Sequence, residues 1–296
     1  MFCLSRSLYS QLTGNSSPPP RRRLPLVLAA IALGVVLVTV PVLSRSPAEG
    51  ADPLPTATVT PTPTPTPTPA FDFTQPAPKT DPVDMDYFSD ALFIGDSRTH
   101  GLELYSGVKG ATFYVYTGLS IFGVNNPGLV TLDGQDYSIV EALEKGPQFG
   151  KVYIAFGMNE LGYYNEENYL RTFGVFIEEV KALQPNAVVY LQNLAPVDEA
   201  KCKAYGQASC ITNARVEAFN QLFAQLAREH QVVLVDVYSA LTADGPLPDD
   251  ATSDGIHFKR PWYETWLTCL MEHTVDPAIY QAGQTHADDM EGDKEP

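Results

Sequence analysis

Ser97 and His257 are the side chains whose surroundings in the sequence point to covalent chemistry. Ser97 ends Gly95-Asp96-Ser97, just after a short apolar run. A strand there should give way to a helix, leaving the serine hydroxyl beside backbone N–H groups and a helix N-terminus able to hold an oxyanion. By itself the tripeptide reads equally well as an ordinary helix cap. There are five histidines: His100, His230, His257, His273 and His286. Only His257 has an acid three residues before it, in Ser253-Asp254-Gly255-Ile256-His257, within a loop beyond the last apolar run. An aspartate held near an imidazole fixes its tautomer and stabilises the imidazolium formed when it takes a proton from serine. The bland reading is a loop cap and a surface histidine. His230 and His273 fall at helix ends, and His100, one turn beyond Ser97, lacks an orienting acid.

Two further segments offer donors. Thr117-Gly118-Leu119-Ser120 has a glycine that lets backbone approach a ligand closely. Gly157-Met158-Asn159-Glu160 supplies a side-chain amide. Each, taken singly, is also a plain turn.

The elements that must bring these segments together follow from periodicity. Short apolar runs at Ala91–Ile94, Thr112–Tyr116, Val152–Phe156, Ala187–Leu191 and Val232–Val237 have strand length and β-branched or aromatic content. Between them Leu170, Phe173, Phe176, Ile177, Val180 and Leu183 repeat at helical spacing, as do Val216, Phe219, Leu222, Phe223 and Leu226. Pro261 opens a last helix carrying Tyr263, Trp266, Leu267 and Leu270. Strands that are apolar on both faces and alternate with helices predict a parallel α/β sheet covered on two sides. Function then sits at the carboxyl ends of the strands, where all the candidate residues lie.

In order and placement the four segments resemble the blocks of the SGNH/GDSL hydrolase family over roughly residues 88–275. The resemblance implies a flavodoxin-like, three-layer α/β/α sandwich around a five-stranded parallel sheet of order 2-1-3-4-5. It also implies Ser97 as nucleophile, His257 as general base and then acid, and Asp254 as its orienting partner. Ser97 and Gly118 N–H groups and the Asn159 amide would form the oxyanion hole, with no metal or organic cofactor. The third block of the family usually ends in Asn-Asp, whereas Glu160 stands here, so the support of that loop is expected to differ. Arg98, where many relatives carry an apolar or small residue, is a candidate contact for a substrate carboxylate or sugar hydroxyl, or a partner for an acid across the pocket rim. Tyr163 and Tyr164 are candidates to stack on a sugar ring.

Charge and composition narrow the partners. The chain has 296 residues and a net charge of -16. Residues 1–50 hold five of its 19 basic residues and one of its 35 acidic ones, so the remainder carries a net -20. Such a surface disfavours nucleic acid and other anionic polymers. From Leu24 to Leu43 runs a stretch of 20 residues without a charge, preceded by Arg21, Arg22 and Arg23. At 1.5 Å per helical residue it would cross about 30 Å of hydrocarbon. The arginines would stay inside, so the rest lies outside the membrane. A cleaved signal peptide is the alternative. Residues 55–69, PTATVTPTPTPTPTP, lock every second φ and would span roughly 45 Å in an extended conformation.

The expected organisation is a cytoplasmic 1–23, an anchor over 24–43, a Pro/Thr-rich linker over 44–84, a hydrolase domain over 85–281, monomeric, and an acidic disordered tail over 282–296. In an oxidising exterior Cys202 and Cys210 are expected to close a disulfide, while Cys269 reads as a buried hydrophobe. The expected substrate is an ester-bearing small molecule or O-acetylated glycan. Two alternatives stay open: acetyl transfer to a cell-surface glycan by the same triad, and an inactive carbohydrate-binding module.

Overall fold

The structure, a computed structural model, describes residues 69–243 and 245–292, with side chains as far as residue 285. The expected anchor, residues 1–23, most of the Pro/Thr tract and residues 293–296 of the tail lie outside the described residues. Among the described residues no helix is long and apolar enough to cross a membrane.

Five strands, β1 (Ala91–Gly95), β2 (Thr112–Val115), β5 (Lys151–Ala155), β6 (Val188–Gln192) and β7 (Val233–Val235), pair in parallel in the order β2-β1-β5-β6-β7. Counted among themselves they run 2-1-3-4-5, the order that the resemblance implied. The short strands β3 (Val130–Leu132) and β4 (Gln135–Tyr137) form a separate antiparallel hairpin, which the apolar-run reading missed. Its signal was present: Asp133 and Gly134 both take positive φ, 50° and 75°, as a two-residue hairpin turn requires.

Because successive strand residues point to opposite faces, the sheet has two cores. On one face Leu92, Ile94, Val152 and Ile154 meet α2 (Ile139–Lys145), α3 (Glu166–Leu183) and α5 (Asn213–Glu229). On the other, Phe93, Tyr153, Tyr190 and Val235 meet α1 (Ser97–Tyr105), α6 (Val237–Thr242) and α7 (Arg260–Glu272). Phe113, Phe93, Tyr153 and Tyr190 stack across four adjacent strands with ring centroids 4.8, 4.7 and 4.5 Å apart. Such cross-strand aromatic pairs each stabilise register. The remaining helices are α4 (Glu199–Tyr205) and α8 (Pro277–Gly292).

The packed region begins earlier than the expected residue 85. Phe73 and Ala77 are buried, and Ala77 N–H donates to Leu234 O at 2.8 Å. This contact covers the otherwise open edge of β7. Val83 N–H and Thr80 N–H continue the strap onto Met271 O and Glu272 O of α7. At the other end α8 continues through residue 292, where a disordered tail was expected from 282.

Candidate active site

Strand β1 ends at Gly95 and α1 begins two residues later. A side chain at Gly95 would meet the Thr99 hydroxyl and lie 2.6 Å from Ala155 O on β5, so only glycine lets helix, strand and neighbour approach this closely. Asp96 caps α1, accepting the Arg98 N–H at 2.9 Å, and Ser97 is the first helical residue. Its N–H therefore has no acceptor within the helix.

His257 arrives from the opposite end of the chain in a loop closed by the Thr252–Phe258 bridge. Asp254 organises that loop. One carboxylate oxygen accepts the Ile256 and His257 N–H groups at 2.9 and 2.8 Å. The other lies 2.7 Å from His257 Nδ1, and His257 Nε2 is 2.8 Å from Ser97 Oγ. Gly255 permits the turn: its φ is +90°, and a Cβ there would lie 2.7 Å from Asp198 O. The Asp254 carboxylate keeps the proton on Nδ1, leaving Nε2 to accept from the serine hydroxyl. Partial burial pushes the Asp254 carboxyl upward, but the ring and backbone N–H donors outweigh it and hold the group well below the usual carboxylate range.

Ser97, Gly118, Asn159 and His257 share a cavity of about 150 Å³, so the structure brings together all four segments singled out in the sequence. Its far wall comes from Ala208, Cys210 and Ile211, with Ile256 below. That wall was not foreseen, because nothing in its residue types distinguishes it from a surface loop. Asn159 Nδ2 does not stand open: it donates to Leu119 O at 2.8 Å and lies 3.3 Å from Asp96 Oδ2. The next residue, Glu160, is 2 % exposed and accepts the Ile121 N–H at 2.6 Å. Burial pushes the Glu160 carboxyl up to about 8, the Ile121 N–H opposing and the nearby Asp96 charge adding to it. Asp96 is also raised by burial, against the Arg98 N–H and guanidinium.

Two expectations are corrected. Arg98 contacts no substrate space: it is 3 % exposed, donates to Ala195 O and Pro196 O at 2.9 Å each, and lies 4.6 Å over the Phe258 ring. It ties α1 to the loop after β6. Cys202 and Cys210 form no disulfide. Cys202 is buried in α4, turned toward Gly255 under the histidine loop, whereas Cys210 faces the cavity. Tyr163 and Tyr164 follow Gly162, which lines the cavity, and sit outside the lining. Tyr164 is 71 % exposed, with the Arg215 guanidinium 4.9 Å from its ring. Tyr163 packs against Phe122 at 4.7 Å between centroids. Phe122 itself is exposed and was not singled out from sequence.

Residues 93–264 match the sequence model of the GDSL-like Lipase/Acylhydrolase family. The chain is 25% identical over 176 residues to an N-acylneuraminate cytidylyltransferase of Streptococcus agalactiae serotype V, a match covering 56% of this chain and 38% of the relative. It thus spans well under half the length of that relative. A platelet activating factor structure from Streptococcus pneumoniae is 26% identical with a TM-score of 0.48, covering 61% of this chain and 81% of the other. A GDSL-like lipase structure from Bacteroides thetaiotaomicron is 16% identical with a TM-score of 0.45, covering 70% and 92%.

Proposed function

The chain belongs to the GDSL-like lipase/acylhydrolase family, enzymes of ester bonds, and on that premise we propose that it is a serine esterase removing short acyl groups, acetyl above all, from carbohydrate. The observation that carries the proposal is the unbroken line of contacts from Ser97 Oγ through the imidazole to Asp254, at 2.8 and 2.7 Å. A binding module with no turnover has no use for it.

In the proposed reaction Ser97 Oγ attacks the ester carbonyl while His257 Nε2 takes its proton. Asp254 stabilises the imidazolium that forms. The carbonyl oxygen becomes an oxyanion held by the Ser97 and Gly118 N–H groups. Asn159 joins them by exchanging its longer contact, to Asp96, for the developing charge. His257 then protonates the departing alcohol, and water resolves the acyl-enzyme in the same way. The His257 side chain is 44% exposed, so water has ready access, which favours hydrolysis over transfer to a second sugar.

Size and surface support the choice of substrate. A cavity of about 150 Å³ is smaller than the roughly 300–1,000 Å³ of sites that engulf drug-sized ligands, and suits a short acyl group. The alcohol part must then lie outside it, where Phe122, Tyr163 and Tyr164 offer aromatic faces of the kind that stack on sugar rings. Net charge favours a neutral glycan over an anionic one. The uncharged run over residues 24–43 after three arginines supports an extracytoplasmic position, tethered by the Pro/Thr tract near cell-wall glycan. The test is hydrolysis of an aryl acetate and acetate release from O-acetylated glycans. Ser97→Ala is expected to abolish both, and equal rates for the variant and the parent protein would refute the assignment.

A further inference from the structure

Glu160 is the buried acid that the proposed reaction does not use. Neighbouring side chains, Asn159 and Glu160, reach across from the turn after β5 to the turn after β2. Asn159 Nδ2 donates to Leu119 O at 2.8 Å, and Glu160 Oε1 accepts from Ile121 N–H at 2.6 Å. Ile121 opens the 3₁₀ turn Ile121–Gly123, whose own cap, Ser120, makes no side-chain hydrogen bond to it. Glu160 therefore supplies, from the turn after β5, the acceptor that this turn lacks. The two contacts hold Leu119 and Ile121, one and three residues beyond Gly118, and so anchor the turn that carries its N–H.

The charge state follows from the surroundings. Two buried carboxyl groups, Asp96 and Glu160, flank Asn159. Asp96 has the Arg98 N–H, the Asn159 amide and the nearby Arg98 guanidinium to support a negative charge. Glu160 accepts the Ile121 N–H on Oε1, with the Glu160 and Gly157 N–H groups as lesser support and no cation among its chief supports, and its Oε2 is buried without a hydrogen-bond partner. The other titratable group facing it, Tyr169 from α3, is likewise buried with an unpartnered hydroxyl and carries no positive charge. Like charges this close cannot both ionise cheaply, so the proton stays on the less supported acid.

We propose that Glu160 is a positioning residue for the proposed esterase reaction, acting as an uncharged carboxylic acid that holds the oxyanion turn against the Asn159 turn. A charge there would stand beside the oxyanion and oppose it. The inference rests on the esterase reading, and its test separates the two. Turnover of an aryl acetate is measured for the full chain against pH, per site titrated with a fluorophosphonate. Glu160→Gln keeps the Oε1 acceptor and cannot ionise. It is expected to retain kcat within about twofold at neutral pH and to lack the fall in kcat that the parent protein shows as pH rises past about 8. Glu160→Ala leaves Ile121 N–H without its acceptor and is expected to lose about tenfold or more in kcat per titrated site with little change in KM. A Glu160→Gln variant that loses tenfold at neutral pH, or falls with pH as the parent does, overturns the inference while leaving the esterase intact. So does Glu160→Ala with parental kcat. A parent protein that neither turns over an acetate ester nor reacts with the fluorophosphonate sinks the esterase reading, and this inference with it.

Discussion

At the scale of single residues the site separates into groups that act through short-range spacing and groups that act through distant contacts. Asp254 and His257 were legible because the acid, the loop and the imidazole lie within four residues. Arg98 was not, since the acceptors that explain it, Ala195 O and Pro196 O, come from a different strand end. The same holds for Glu160, whose partner Ile121 lies 39 positions away. Two consequences are measurable. Asp254→Asn leaves the shape of the loop but favours the wrong imidazole tautomer. It is expected to lower kcat by on the order of 10³–10⁴, with the folded near-UV circular dichroism retained and with loss of the stability that the Asp254 charge contributes. Asn159→Ala removes one oxyanion donor, and kcat for an aryl acetate is expected to fall by on the order of 10²–10³ while KM moves little. A proportionate rise in KM instead would place Asn159 among ground-state contacts.

Among the elements, the five sheet strands and the long helices α3, α5 and α7 announced themselves by period, because both faces of the sheet are buried and each helix presents one apolar stripe. What periodicity could not supply was contact between segments far apart in sequence. The strap over residues 71–83 has no period of its own, and its membership in the fold rests on hydrogen bonds to Leu234, Met271, Glu272 and Ile279. Phe73, packed edge-on against Phe71 and Tyr280 at 5.1 and 5.7 Å, anchors it. Phe73→Ala is therefore expected to cost about 3 kcal/mol in denaturant unfolding, which a domain starting at residue 85 would not feel. Gly255 carries a comparable demand at the other end. Gly255→Ala combines a positive φ with a contact on Asp198 O, and is expected to depress kcat and stability together, since the same turn holds His257.

For the whole molecule, pH acts on stability through carboxyl groups that the catalytic fold displaces in opposite directions. Asp254 is held below its unfolded value of 3.8, so its contribution is present above that pH and is lost as pH falls through the folded value. Glu160 is raised from 4.5 to about 8. Between those values the unfolded chain has released this proton and the folded chain has not, so stability declines as pH rises and levels off beyond about 8. Asp96, also raised, works in the same direction as Glu160. A net charge of -16 at neutral pH, with the histidines uncharged, adds self-repulsion on the alkaline side. Stability is thus expected to peak in mild acid, at about pH 4–5, rather than at neutrality. Urea unfolding from pH 3 to pH 9 would show it, and Glu160→Gln should flatten the decline in stability between pH 4.5 and about 8. Parallel curves for the two proteins would mean that Glu160 is already ionised at neutral pH, and that the site tolerates two negative charges beside the oxyanion.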